Sequence, residues 1–286
     1  MIESGASAAE SPRCSSWKHE RLADAALECA QMVHASRIKT VGELSPSGSC
    51  QFESASDTIC EQVRVIPGVH GYRRVAYSSG RMFTLEAYAR HDESPDDQFY
   101  SVPRKVVHID EGAIAALGRL YAEVLPAGGR ILDLMSSWRS HLPEGLRCRE
   151  VVGLGMNAEE MADNPQLTSA IVHDLNRDPR LPFGNEGFDG AVCAVSIQYL
   201  TNPLPVFHEV RRVLRPGAPF VVSLSNRCFP TKAVAVWLGS TDQQHLELVR
   251  AYFEAAAGWM AITAENRSPD HGGDPLHVVW ARRSTS

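Results

Sequence analysis

The chain has no run of eighteen apolar residues, so no segment is expected to cross a bilayer as a helix. It has no CxxC pair. Its seven cysteines (Cys14, Cys29, Cys50, Cys60, Cys148, Cys193 and Cys228) are odd in number and scattered, which indicates neither a zinc motif nor a disulfide framework. The histidines, among them His70, His173, His208 and His271, lack metal-ligand spacing, so no metal is expected. There is no long basic run, and a net charge of −6 points away from nucleic acid as the main partner. Met1 to Ser16 lack the basic start and apolar core of a secretory leader. These absences predict a protein of the reducing cytoplasm, with neither a membrane nor a nucleic acid as partner. The sequence leaves the oligomeric state open.

What is present is a composition of 44% hydrophobic and 22% charged residues over 286 positions, suited to one large or two modest globular domains. Residues 1–16 are polar and expected to be disordered. Leu22, Ala25, Ala26, Cys29 and Val33 recur at helical spacing, and residues 38–60, rich in Ser, Gly and Thr, read as a loop. Val63–Ile66 reads as a strand. Tyr72–Tyr77 and Arg81–Tyr88 read as a hairpin around Ser78-Ser79-Gly80. Residues 1–95 are thus expected to form a small N-terminal α+β extension, joined to residues 96–286 through an acidic linker at His91–Asp97.

From residue 96 the pattern alternates. Asp110 is the predicted N-cap of a helix over Glu111–Leu125, closed by Pro126 and the Gly128-Gly129 pair. Short apolar strands follow at Arg130–Leu134, Glu150–Leu154, Ala170–His173, Gly190–Ser196, Pro219–Ser225 and Leu276–Arg282. Helices lie between them at Leu204–Leu214, Thr231–Leu238 and Asp242–Ala256, with Asn157 capping another. Strands alternating with helices predict an α/β fold: a largely parallel, Rossmann-like sheet covered on both faces. The pivotal stretch is Gly129–Arg139, where an apolar strand delivers Asp133 to the sheet rim and turns polar at Ser136 and Ser137.

Five motifs in order resemble the class I S-adenosylmethionine-dependent methyltransferases of the type 11 group. They are Ile131-Leu132-Asp133-Leu134, Val151-Val152-Gly153-Leu154, Val172-His173-Asp174-Leu175, Phe188-Asp189, and the string Val206 to Gly217 with its closing Arg215-Pro216-Gly217. The resemblance covers about Phe99 to Arg283. It implies that fold, S-adenosylmethionine as cofactor, and methyl transfer to a small molecule. Two departures stand out. Met135-Ser136-Ser137-Trp138 replaces the family's glycine-rich turn, and Gly155 stands where an acid usually holds the ribose. The first motif is therefore read as a variant.

By that resemblance Asp133, Ser136, Ser137 and Trp138 border the methionine part of the cofactor, and Asn157 meets the ribose. Asp174 and the amide of Leu175 supply the acceptor and donor that an adenine edge requires. Ser196 lies on the rim facing the methyl group, and Tyr100 and Arg104 belong to a leading segment that folds over the cofactor. Tyr199, Gln198 and Asn226 are the candidate catalytic residues, since in-line displacement needs alignment and sometimes a base. His108 reads as structural. Two rival functions share this frame. One is a cyclase converting the cofactor into azetidine-2-carboxylate and methylthioadenosine. The other is a non-catalytic binding protein, motivated by the missing acid and glycines.

Overall fold

The computed structural model describes residues 84–285. The expected helix and strands before residue 84 lie outside the described residues. Seven strands form one sheet: β1 (Arg130–Leu134), β2 (Glu150–Gly155), β3 (Ser169–Val172), β4 (Gly190–Ala194), β5 (Pro219–Leu224), β6 (Trp259–Asn266) and β7 (His277–Arg283). Their order is β3-β2-β1-β4-β5-β7-β6. The first five run parallel, and β7 pairs antiparallel with both β5 and β6. This is the Rossmann-like class I methyltransferase sheet expected from the sequence.

The strands sort their side chains by alternation. Ile131, Val151, Val192, Val221 and Val278 face one layer, where α2 (Glu111–Val124) presents Leu117, Leu120 and Tyr121. Leu132, Val152, Cys193, Phe220 and Val222 face the other, where α4 (Pro203–Val213) brings Val206, Phe207 and Val210. Against α4 packs α6 (Asp242–Ala255), with Val249, Tyr252 and Phe253. Both caps foreseen hold: Asp110 accepts a hydrogen bond from the Ala113 amide and Asn157 from the Glu160 amide of α3 (Ala158–Ala162).

Three local expectations fail. Strand β6 has no counterpart in the sequence reading, because it is an irregular edge strand: its register shifts between Met260 and Thr263, and Ala261 has φ 53°. The second arm of the hairpin, Arg81–Tyr88, is not a strand in its described part; Glu86–Tyr88 is a single 3-10 turn that buries Tyr88 in the main core. The helix expected at Thr231–Leu238 is only the short α5 (Ala235–Leu238).

Residues 91–97, read as a linker, are anchored, and the anchor is Lys232. Its ammonium is fully buried and donates to the Ser94 carbonyl at 2.7 Å, with the carboxylates of Asp92 and Asp96 each at 3.2 Å. Arg90 adds a bond to Asp96 at 2.8 Å. A buried cation is tolerated only when paired in this way. The result ties the segment leading into α1 (Asp96–Phe99) to the loop after β5. No helix among the described residues is long and apolar enough to cross a membrane.

Candidate active site

Strand order reverses between β1 and β4, so the loops that follow them diverge and open a crevice at the carboxyl edge. Both loops start with a residue in the left-handed region: Met135 at φ 57° and Val195 at φ 41°. Such conformations cost about 1–3 kcal/mol each for non-glycine residues. Both line one cleft of about 1070 Å³, open mouth included.

The floor of the cleft is a polar knot under β1. The hydroxyls of Ser136 and Ser140 both donate to Asp133 Oδ2 at 2.6 Å. The Asn164 amide donates to Ser140 Oγ and to the Ser137 carbonyl, each at 2.9 Å. Asp133 is 2% exposed. Burial raises its pKa to about 6 despite the two serine hydrogen bonds, which lower it.

The glycines that the turn lacks lie beneath it, in β2. The Ser136 amide donates to the Leu154 carbonyl at 2.9 Å, continuing the β1–β2 ladder past the strand. A Cβ on Gly155 would overlap the Ser136 carbonyl oxygen, and one on Gly153 would stand 3.2 Å from Ser136 Oγ. Gly155 therefore stands at the end of β2 because the turn packs on it, and an acid cannot occupy that position.

One helical turn further on, Glu160 supplies a carboxylate. It is 8% exposed, lines the cleft, and accepts from Ser137 Oγ at 2.6 Å and from the Arg104 amide. Sequence reasoning passed over it; the Asn157-x-x-Glu160 spacing of a capping box was the available signal. Asn157 itself is occupied: its oxygen caps α3, and its amide donates to the Tyr100 carbonyl at 2.8 Å.

At the end of β3, Asp174 Oδ1 accepts from the amides of Asn176 and Arg177 at 2.9 and 3.2 Å, an Asx turn that leaves Oδ2 unengaged among the described residues. Asp174 and Leu175 both line the cleft. At the end of β4, Ser196 Oγ donates to the Ala194 carbonyl at 2.7 Å. Tyr199 OH accepts from the Phe229 amide at 2.9 Å, and burial raises its pKa to about 12.

The roof is the segment 100–108. Trp138 Nε1 donates to the Val106 carbonyl at 2.8 Å, so Trp138 fastens this segment to the β1 turn. Tyr100 and Arg104 line the cleft, as do His108 and His141. Burial lowers the pKa of each histidine to about 4, helped by Arg227 beside His108 and by His108 and Arg139 beside His141. Both rings are therefore neutral near pH 7.

The fold thus gathers Asp133, Ser136, Ser137, Trp138, Asn157 and Asp174 at one cleft, together with Leu175, Ser196, Tyr100, Arg104 and Tyr199. Gln198 and Asn226 do not line it. Gln198 is buried and donates to the Val195 carbonyl at 2.8 Å, holding the strained turn. Asn226 has its Oδ1 buried without a hydrogen-bond partner. Its neighbour Arg227 is committed to Asp274, at 2.9 Å. Phe229, His141 and Glu160 are cleft residues absent from the sequence reading. No group of three His, Cys, Asp or Glu able to hold a metal occurs among the described residues.

Residues 140–222 match the family model described as a methyltransferase domain, of the type 11 group. The match covers 83 of the 286 residues and makes that stretch similar to a methyltransferase domain. The match begins just past Arg139, so the variant turn lies outside it. Over 83 residues the chain is 34% identical to the biotin biosynthesis bifunctional protein BioHC of Teredinibacter turnerae, covering 28% of this chain and 15% of that one. The chain thus spans a small part of that relative's length. A SAM-dependent methyltransferase from Aquifex aeolicus is 16% identical with a TM-score of 0.43, covering 66% of this chain and 97% of its own. Another, from Methanosarcina mazei, is 15% identical with a TM-score of 0.39, covering 58% and 98%.

Proposed function

We propose that this protein transfers the methyl group of S-adenosylmethionine to a small-molecule acceptor. The observation that carries the reading is the set of polar groups along the strand ends, whose chemistry follows the cofactor from end to end. Asp174 Oδ2 and the Leu175 amide suit the adenine edge. Glu160 suits the ribose diol, with Asn157 fixing the roof above it. Asp133, once ionised, pairs with the cofactor's ammonium.

The cofactor's carboxylate needs donors, and the serine hydroxyls have given theirs to Asp133 and Glu160. The amides of Ser137 and Trp138 make no hydrogen bond among the described residues, and Arg139 stands beside them with its guanidinium 4.0 Å over the Trp138 ring. Together they form an anion-binding turn. Tyr199 and Ser196 border the sulfonium side, where an aromatic face and oxygen lone pairs favour a cation.

Isothermal titration calorimetry with S-adenosylmethionine and S-adenosylhomocysteine tests this reading. Both are expected to bind; the absence of heat with either overturns it.

A further inference from the structure

Rings from three segments meet around Phe229, where the roof, the rim of β4 and the loop after β5 converge. Phe99 and His108 meet the Phe229 ring edge-on, with centroids at 5.5 and 5.0 Å. Tyr199 lies nearly parallel to it at 6.1 Å, and Tyr100 packs edge-on against Phe99 at 4.9 Å. Tyr100, Arg104, His108, Tyr199 and Phe229 all open on the cleft. Tyr199 stacks on one face of the Phe229 ring, and Phe229 is partly exposed and lines the cleft. Of the groups assigned above to the cofactor, Tyr199, on the sulfonium side, also borders this compartment.

Its charge is one-sided. The Arg104 guanidinium sits 4.1 Å over the Phe99 ring and 5.9 Å from Phe229. It donates to the carbonyls of Phe99 and Val102, and it has no carboxylate partner among the described residues. The acids nearby are committed elsewhere: Asp96 to Arg90, Lys232 and Asn176, and Glu160 to Ser137 and the Arg104 amide. Lys232, 5.5 Å from the Phe99 ring, is neutralised by Asp92 and Asp96 and adds no free charge. A cationic amine entering here would meet an uncompensated positive charge, whereas an anion would gain a charge-assisted partner.

We propose that the compartment around Phe229 is the acceptor site, and that the acceptor is a flat aromatic anion stacked on Phe229 with its charge on Arg104. The inference rests on the methyltransferase reading above and names the substrate class for it. It assigns Arg104 to the acceptor, leaving the cofactor carboxylate to the turn amides and Arg139.

The test is calorimetric titration of the full chain, saturated with S-adenosylhomocysteine, with three probes: naphthoate, naphthylmethylammonium and cyclohexanecarboxylate. Naphthoate is expected to bind at least about tenfold tighter than either of the others, since only it offers both the stack and the charge. Phe229→Leu is expected to lower naphthoate affinity about tenfold, and Arg104→Gln by a similar factor, with S-adenosylhomocysteine affinity within about twofold of the parent in both. Naphthylmethylammonium binding as tightly as naphthoate overturns the proposal. So does a cofactor-bound protein that takes none of the probes, or an Arg104→Gln loss that falls equally on S-adenosylhomocysteine. Failure to bind S-adenosylhomocysteine at all is a separate result and overturns the cofactor reading instead.

Discussion

The two sides of the cleft are built by opposite means. On the β1–β2 side, Asp133, Ser136, Ser137, Ser140, Asn164 and Glu160 form one hydrogen-bonded knot over backbone packed against glycine. On the side of the roof and the β5 loop, rings meet edge-on around Phe229, and only Arg104 brings a charge. A knot of directional bonds is preorganised and fits one ligand chemistry. A set of rings is held by shape and tolerates exchange. The first side suits a cofactor that never varies; the second suits the partner that sets specificity. The contrast predicts that added bulk beneath the first side is costly for the fold and exchanges of its polar atoms are costly for the cofactor, whereas trimming a ring on the second side is cheap for both.

The largest expected effect is that of Gly155→Ala. The added Cβ meets a backbone carbonyl, that of Ser136, which can yield only if the β1 turn shifts. A loss of about 3–5 kcal/mol is expected in denaturant unfolding, against about 1 kcal/mol for Phe229→Leu. Equal stability of the two variants would remove the contrast.

Asp133→Asn comes next, and it separates stability from binding. Burial raises the folded pKa of Asp133 from 3.8 to about 6. The fold therefore favours the protonated acid. Its contribution is fully present below pH 3.8 and is lost as pH rises through about 6. Above that pH the buried carboxylate costs about 3 kcal/mol. An amide resembles the protonated acid, so Asp133→Asn is expected to be more stable than the parent above pH 6, with the difference shrinking as pH falls. Its affinity for S-adenosylhomocysteine should drop about a hundredfold, because the ammonium loses its counter-charge. The parent's own affinity should weaken below pH 6 for the same reason. Melting curves and calorimetry over that range check both; a variant less stable than the parent at high pH would contradict the burial argument.

Most of the sheet was legible because its strands are apolar and bounded by turn residues: β1 falls at Arg130–Leu134 as expected, and Pro216-Gly217 marks the entry to β5. What escaped was either irregular or non-local. Strand β6 lies at an edge, with a register shift and with Ala261 at positive φ, so its alternation is broken. The anchor at Lys232 joins residues about 140 positions apart, and no local pattern announces such a pair. The missing ribose acid looked like a loss because position 155 was judged alone. The packing of Ser136 on Gly155 shows why no acid stands at position 155, and the function proposed above gives the ribose to Glu160, one turn into the helix. Gln198 and Asn226 follow β4 and β5 closely, yet neither lines the cleft: Gln198 is spent on the Val195 carbonyl, and Asn226 Oδ1 is buried without a hydrogen-bond partner.

Glu160→Gln carries the smallest expected effect and sharpens the contrast most. The Gln oxygen can still accept from the Arg104 amide, and the Ser137 hydroxyl can reverse to accept from the new NH2. The knot then survives with a stability change of about 0.5–1 kcal/mol. A ribose diol, however, finds one acceptor where it had two, and affinity should fall about tenfold. Methylthioadenosine and S-adenosylhomocysteine share the ribose but differ at the amino acid. Glu160→Gln should therefore weaken both alike, while Asp133→Asn should weaken only S-adenosylhomocysteine. A Glu160→Gln loss confined to S-adenosylhomocysteine would move Glu160 to the methionine end of the cleft and leave the ribose without an acid.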